Sequence, residues 1–190
     1  MSIRKLFLLA ASVLLCAAMC GPARAADDRL TVVQDESSME KIIESYLTTT
    51  HKLTITEKTS PDDKDDLYLD IAFQGDPMPK FRMAIDTQVL NRDKDSNKVI
   101  ERGVGIILYT DVHVPSDKKG KILDLVNDFN RRKCFSSIYV DTDGEIICYW
   151  TLNVLDAGLP TEYVHDAIDR VQNLWKALYP IVAPELGLSK

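Results

Sequence analysis

The sequence predicts an α+β domain, in which an antiparallel sheet of five to six strands carries helices on one face. The first observation behind this prediction is that the candidate strands occur in runs joined by short turns, instead of alternating one for one with helices. The second is that three segments place apolar residues at helical spacing. Together they predict the order α-β-β-β(-β)-α-β-β-α.

The first predicted helix covers residues 37–50, SSMEKIIESYLTTT. Ser37 or Ser38 is expected to cap it, because a serine hydroxyl accepts hydrogen bonds from the free N–H groups of a first helical turn. One face of this helix is apolar and is therefore predicted to pack on the sheet. The residues of that face are Met39, Ile42, Ile43, Tyr46 and Leu47.

Four strands are predicted next, and each is rich in β-branched or aromatic residues. They cover residues 53–57, 67–73, 80–90 and 103–114. Two further helices follow. Ser116 is expected to cap the second helix, and the last helix is expected to start near Pro160 and to end at Pro180. Their predicted buried faces are Ile122, Leu125, Val126 and Phe129, and then Val164, Ala167, Ile168, Val171, Leu174, Trp175 and Leu178.

A β-hairpin is predicted between these two helices, in KCFSSIYVDTDGEIICYW, residues 133–150. Gly144 supplies the positive φ that a three-residue loop with a bulge requires. This loop places Ile138 opposite Cys148 and Val140 opposite Ile146. One face of the hairpin is then almost wholly apolar, which supports the register. That face consists of Cys134, Ser136, Ile138, Val140, Ile146, Cys148, Trp150 and Leu152.

The two cysteines of the hairpin, Cys134 and Cys148, are predicted to be unbonded and buried. In this register they are four residues out of step, or about 13 Å along the strand. A disulfide requires α-carbons within about 7 Å. A two-residue loop would instead put the cysteines on opposite faces, so neither register allows the bond.

The other face of the hairpin mixes aromatic and polar residues, which is typical of a surface that contacts a partner. We predict a partner-binding surface formed by Phe135, Tyr139, Ile147 and Tyr149. The alternative is that an N-terminal segment or a second copy of the chain covers this face.

The first 25 residues have the pattern of a cleaved secretory signal peptide. A basic start precedes an unbroken apolar run from Leu6 to Met19, and Ala23 and Ala25 suit the cleavage site. The run has 14 residues, whereas a helix that spans a bilayer needs about 20. We therefore expect a periplasmic or secreted protein with no membrane span after cleavage. Lipidation of Cys20 is an open alternative, although a lipoprotein signal favours a small residue where Met19 lies.

The expected organisation after cleavage is a flexible lead-in at 26–36, a single domain at 37–183 and a C-terminal tail at 184–190. The formal net charge is −6, and removal of residues 1–25 takes away Arg4, Lys5 and Arg24 with no acidic residue, which leaves −9. Such an acidic chain is not expected to bind nucleic acid, whose affinity comes from neutralised phosphates. The charge permits a basic partner without requiring one.

The sequence contains no phosphate-binding loop, no nucleophile-elbow serine and no pair of metal-ligand histidines on a helix. We predict no catalytic residue, no metal site and no cofactor, and hence a protein that is not an enzyme. His113 and Asp111 share a predicted strand face, and a third titratable group beside them would favour an enzyme instead. The turn DKDSN, Asp93 to Asn97, resembles the start of a calcium loop, but Lys98 and Val104 occupy the positions of its glycine and glutamate.

The segment LVNDFNRRKCFSSIYVDTDGEIICYWTLNVLDAGLPTEYV resembles the YbjN family, which is described as a family of sensory-transduction regulators. The shared features are Asn127, Asn130 and Arg131 at a helix end, an aromatic-started strand at Phe135, the D-x-D-G turn at 141–144 and Gly158 before the closing helix.

The helix order agrees with this family over about residues 37–180. The resemblance implies a fold similar to type III secretion chaperones, which are small α+β dimers that bind polypeptides, and it brings no catalytic residues. Asn127 and Asn130 are either functional or cap the helix end.

These observations predict an exported, non-enzymatic module that binds an unidentified protein or peptide partner in a chaperone-like or sensory role, with a homodimer left open. One alternative is a periplasmic protein that binds a small ligand or calcium through its acidic turns. The other is an unrecognised enzyme.

Overall fold

The structure is a computed structural model that describes residues 29–59, 67–73, 79–132 and 137–188. The predicted signal peptide at 1–25 lies outside these residues, as do Cys134 and Phe135. The absence of a bond between Cys134 and Cys148 therefore stays a prediction.

A six-stranded sheet forms the centre of the fold, and every neighbouring pair of strands in it is antiparallel. Its strands are β2 (Ile55–Thr59), β3 (Leu67–Phe73), β4 (Phe81–Arg92), β5 (Val99–His113), β6 (Ser137–Val140) and β7 (Glu145–Val154). Their order across the sheet is β2-β3-β4-β5-β7-β6. Two short strands, β1 (Arg29–Leu30) and β8 (Leu159–Pro160), pair with each other.

Three helices, α1 (Glu36–Thr50), α2 (Lys119–Arg132) and α3 (Glu162–Leu186), pack on one side of this sheet. The hydroxyl of Thr87 on β4 donates to the Glu40 carboxylate on α1, 3.1 Å away. No helix of the described part is long and apolar enough to cross a bilayer. The element order and the single helical layer confirm the predicted α+β fold.

The core lies between the helices and the inner face of the sheet. Alternate residues of the strands point into it, as the period of two requires. The strands contribute Leu69, Ile71, Met83, Ile85, Val104, Ile106, Leu108, Ile138, Ile146 and Cys148, and α3 contributes Trp175 and its apolar neighbours. Burial raises the pKa of the Cys148 thiol to about 12, so this cysteine is an inert part of the core.

The predicted hairpin register is confirmed for the described pairs. Ile138 lies opposite Cys148, and Val140 lies opposite Ile146. The N–H of Asp141 donates to the carbonyl of Glu145 at 2.9 Å, which closes the three-residue loop. Gly144 has a φ of 87°, as predicted, and a Cβ at this position would come within 3.1 Å of the Val114 carbonyl oxygen.

The helix starts differ from the predicted ones. Asp35, and not Ser37 or Ser38, caps α1, because its Oδ1 accepts a hydrogen bond of 2.7 Å from the N–H of Ser38. The helix therefore begins one residue earlier. Pro160 belongs to β8, and α3 begins two residues later, after Thr161.

The N-terminal segment from Arg29 onward is part of the fold, whereas the sequence predicted a flexible lead-in over residues 26–36. Leu30 and Val32 are buried in the core. The buried Arg102 side chain on β5 donates from Nε to the Val32 carbonyl at 3.1 Å, and its Nη1 lies 3.6 Å from Glu36 Oε1. These contacts fix the segment against the sheet.

The last helix continues past the proline at which it was expected to end. It passes Pro180 and Pro184 and ends at Leu186. A proline inside a helix costs about 3 kcal/mol. Val182 and Ala183, which lie beyond Pro180, are buried, and their burial offsets part of this cost. Gly187, with a φ of 74°, then ends the helix by donating its N–H to the last carbonyl groups.

Candidate functional site: the tyrosine face of the sheet

The outer face of the sheet, opposite the helices, carries a row of large side chains on adjacent strands. The pairing of β4, β5, β7 and β6 places Arg82 beside Tyr109, Tyr109 beside Ile147, and Ile147 beside Tyr139. Tyr149 lies two residues after Ile147 and therefore on the same face. We call Tyr109, Tyr139 and Tyr149, which surround Ile147, the tyrosine face.

Ile147 is only 1% exposed, although it points away from all three helices. Its neighbours on this face are the tyrosine rings, so these rings cover it. Tyr139 is itself 45% exposed, and Tyr109 and Tyr149 are partly exposed. The tyrosine face is therefore a small aromatic layer with an apolar floor and a surface open to a partner.

Two glycines on β5 leave room for large side chains on this outer face. A Cβ at Gly105 would meet the ring of Tyr149 at 3.4 Å, and one at Gly103 would come within 3.1 Å of the Leu90 side chain. Larger residues at either position would push the neighbouring side chain outward.

Two cations at the β4 end of this face, Arg82 and Lys58, are paired with one carboxylate. The Arg82 guanidinium lies over the Tyr109 ring, 5.5 Å from its centroid. Its Nε also lies 3.2 Å from Oδ1 of the buried Asp70 carboxylate, and Lys58 pairs with the other oxygen of the same group. The Arg82 contact shows directly that a tyrosine of this face accepts a cation on its ring.

Carboxylates line the opposite end of the tyrosine face. Glu145 Oε1 accepts a hydrogen bond of 2.7 Å from the N–H of Asp111, and Asp141 Oδ1 accepts one of 2.8 Å from the N–H of Glu145. None of these three carboxylates forms an ion pair with a described residue. Desolvation by burial, followed by the charge of Asp141, raises the pKa of Tyr139. Its phenol is therefore neutral under physiological conditions.

Three of the four residues predicted to contact a partner occur together. Tyr139 and Tyr149 present their rings, whereas Ile147 lies beneath the rings as the floor, and Phe135 lies outside the described residues. Sequence reasoning missed Tyr109 and Arg82, which belong to the same row. Inward and outward side chains alternate along β5, and this pattern could have identified Tyr109. Since Val104, Ile106 and Leu108 point inward, Tyr109 must point outward.

The two asparagines of α2 have different positions. Asn130 Oδ1 accepts from the N–H of Ile138 at 3.2 Å, and its Nδ2 donates to the carbonyl of the same residue at 2.7 Å. Asn130 therefore bonds the backbone of the edge strand β6, which is neither a helix cap nor a partner contact. Asn127 is exposed on α2.

The histidines do not form the arrangement that would favour an enzyme. His113 and Asp111 are both exposed, and Asp111 has a φ of 54° within an irregular part of β5. No hydrogen bond or ion pair joins the two side chains in the described ranges. His51 and His165 instead form a stacked pair between α1 and α3, with ring centroids 3.5 Å apart.

The turn that resembles a calcium loop uses its first carboxylate locally. Asp93 Oδ1 accepts hydrogen bonds from the N–H of Ser96 at 2.8 Å and from its hydroxyl at 2.7 Å. These bonds hold the pKa of Asp93 below its usual value. Within residues 29–59, 67–73, 79–132 and 137–188, no three metal-ligating side chains lie close enough to hold an ion.

A hollow of about 200 Å³ lies on the helical side, between β7 and α3. Trp150 and Leu152 line it together with Tyr163, Asp166, Ala167 and Arg170. The guanidinium of Arg170 covers the Trp150 ring, 5.6 Å from its centroid. This volume is below the 300 to 1,000 Å³ or so of a typical small-molecule site, so the outer face remains the better candidate.

Residues 99–182 match the model of a family described as YbjN, a putative bacterial sensory transduction regulator. This part of the chain is similar to the YbjN family. The resemblance expected from the sequence is therefore confirmed over this range, which runs from the start of β5 into the last turns of α3. The matched range, residues 99–182, contains the hairpin, both asparagines of α2 and all three tyrosines of the tyrosine face. No curated protein matches the chain significantly.

Proposed function

We infer that this protein is an exported, non-enzymatic regulatory module that engages a protein or peptide partner through the tyrosine face. The observation that carries this proposal is the position of three tyrosine rings on the side of the sheet that has no helix. Tyrosine is enriched in the centres of protein interfaces, because its ring buries a large area and loses little conformational entropy.

The structure of the face is suited to recognition by contact. Its rings are partly exposed and surround the buried Ile147, and the ring of Tyr149 lies over Gly105. Preorganised side chains lose less entropy when a partner binds. The YbjN description as a regulator agrees with a binding role, since a regulator acts on another molecule.

Export is the second part of the proposal, and it rests on the sequence pattern of residues 1–25. Fractionation of the source cells, with mass determination of the mature chain, tests it directly. We expect a chain that begins at Ala26 in the periplasm or the medium. A full-length chain in the cytoplasmic fraction would contradict export.

Affinity capture with matched variants tests the binding role. Tyr139 on the outer face and Tyr163 on α3 are 45% and 47% exposed, so Tyr139→Ala and Tyr163→Ala remove similar side chains from opposite sides of the protein. We expect the wild type and Tyr163→Ala to retain the same polypeptide from an extract of the source cell's envelope, and Tyr139→Ala to lose it.

Binding of the identified polypeptide is then repeated with purified components, and unfolding curves establish that both variants are folded. Equal retention by the two variants would exclude the tyrosine face as the binding surface. Retention of no polypeptide by the wild type would contradict the binding role itself.

A further inference from the structure

We propose that the tyrosine face recognises a basic polypeptide segment, whose arginine or lysine side chains lie on the tyrosine rings and pair with the carboxylates beside them. This inference rests on the proposed function and specifies its partner chemistry.

The protein already makes the proposed kind of contact with one of its own arginines. Arg82 already places its guanidinium over the Tyr109 ring. The rings of Tyr139 and Tyr149 belong to the same face, and no cation of the described residues lies over either of them. A cation of the partner would lie over one of these two rings in the same way that Arg82 lies over the Tyr109 ring.

Negatively charged side chains lie beside the tyrosine rings. Asp111, Asp141 and Glu145 lie at one end of the face and have no ion-pair partner among the residues that the structure describes. Among the nearby cations, Lys58 and Arg82 share the single carboxylate of Asp70, and Lys80, two residues before Arg82, is exposed. The end of the face that carries the three carboxylates is therefore negative, which favours a basic segment and repels an acidic one.

The edge strand of the sheet limits how a partner segment can bind. The strand β6, which carries Tyr139, is the edge of the sheet, and an open edge invites an extra strand. Asn130 occupies both backbone groups of Ile138 that face away from β7. Strand addition is therefore blocked there, and the segment is recognised through side chains that lie across the rings.

A second copy of the chain is the less suitable occupant. It would bring the same three carboxylates to the interface, while its Lys58 and Arg82 are already in contact with Asp70. Like charges across an interface disfavour association unless cations separate them.

Titration of the purified protein with short synthetic peptides tests this proposal. The probes are a peptide that alternates arginine with serine, its lysine counterpart and its glutamate counterpart. Binding is measured by calorimetry, and backbone amide shifts in NMR spectra locate the site. The test variant is Asp111→Asn combined with Glu145→Gln.

These substitutions remove charge with little effect on the backbone. Asparagine tolerates the φ of 54° at position 111, and glutamine keeps the acceptor for the Asp111 N–H. The matched control is Asp124→Asn combined with Asp156→Asn, which removes two exposed carboxylates elsewhere.

We expect the arginine and lysine peptides to bind at the tyrosine face, at least about tenfold more tightly than the glutamate peptide. The test variant should weaken binding about five- to twentyfold, since each exposed charge pair is worth up to about fivefold, and the control should match the wild type. Raising the salt to about 0.5 M should weaken binding as well.

Equal binding of the glutamate peptide, or no binding of any peptide at millimolar concentration, would overturn the proposal. A dimer in sedimentation that Tyr139→Ala disperses would assign the face to a second copy and would also overturn it. If the capture experiment retains a polypeptide through Tyr139 while the peptides fail, the binding role stands and only its basic chemistry is wrong.

Discussion

His51 and His165 stack face to face, with ring centroids 3.5 Å apart and planes inclined by 15°. The first residue caps the C-terminal end of α1, and the second lies in the first turns of α3. The hydroxyl of Tyr46 lies 3.2 Å from His51 Nε2, and Nδ1 of His165 lies 3.7 Å from Oδ2 of Asp169. The pair therefore joins two helices that are far apart in the sequence.

This pair predicts a dependence of stability on pH. Burial, followed by the nearby His165, lowers the pKa of His51, although Asp169 and Asp166 partly oppose the shift. A lowered pKa means that the unfolded chain binds the proton more readily. The contribution to the free energy of unfolding is therefore lost as the pH falls through the unfolded value of about 6.5 toward the lower folded value.

Urea unfolding at about pH 7.5 and about pH 5.5 measures this effect, which we expect to be below about 1 kcal/mol because the side chain stays partly exposed. His51→Gln should reduce the loss of stability between the two pH values. His113→Gln, at an exposed histidine, should leave the loss as in the wild type. An unchanged loss in His51→Gln would contradict the shift.

Asn130 is predicted to stabilise the fold through its two hydrogen bonds to Ile138. Asn130→Ala should lower the free energy of unfolding by about 1 to 3 kcal/mol, because it leaves a backbone N–H and carbonyl without partners at the sheet edge. Asn127→Ala, at an exposed position of the same helix, should change it by less than about 0.5 kcal/mol. Similar effects of the two substitutions in denaturant unfolding would refute this role.

Cys148 is predicted to resist modification in the folded protein. The thiol is buried and its pKa is raised to about 12, so almost no thiolate is available near neutral pH. Iodoacetamide followed by peptide mass spectrometry should label Cys148 only when denaturant unfolds the chain. Rapid labelling under native conditions would show that the inner face of the hairpin is open.

Arg102 is predicted to hold the N-terminal segment on the sheet. Arg102→Met keeps much of the side-chain length but removes the bonds to Val32 and Glu36, so hydrogen exchange at the amide of Leu30 should become faster. Arg131→Met removes only an exposed ion pair with Asp128 and serves as the control. Unchanged exchange at Leu30 in Arg102→Met would mean that the pairing of β1 with β8 suffices alone.

Local patterns predicted the parts of the fold that depend on neighbouring residues. The register of Ile138 with Cys148 followed from Gly144 and from the apolar alternation of both strands, because a slip of one residue would have turned apolar side chains outward. Pairings between distant segments have no such signal. Arg29 pairs with Pro160, and His51 stacks on His165, and nothing in either local sequence indicates the partner.

Two other differences depend on tertiary contacts that the local sequence does not specify. Pro180 is a sound signal for a helix end, yet the helix continues past it with Val182 and Ala183 buried in the core. The tyrosine face was predicted in part, since the hairpin fixed Tyr139 and Tyr149. Arg82 was missed because its place depends on the pairing of β4 with β5, which only the structure supplies.

The most direct test of the central claim is photocrosslinking in living source cells, with p-benzoylphenylalanine placed at position 139 or at position 163. The two native tyrosines are 45% and 47% exposed, so the probes differ in the surface that they sample and not in accessibility. We predict a crosslinked polypeptide partner at position 139 that is absent at position 163. No polypeptide adduct at position 139, or the same adducts at both positions, would contradict it.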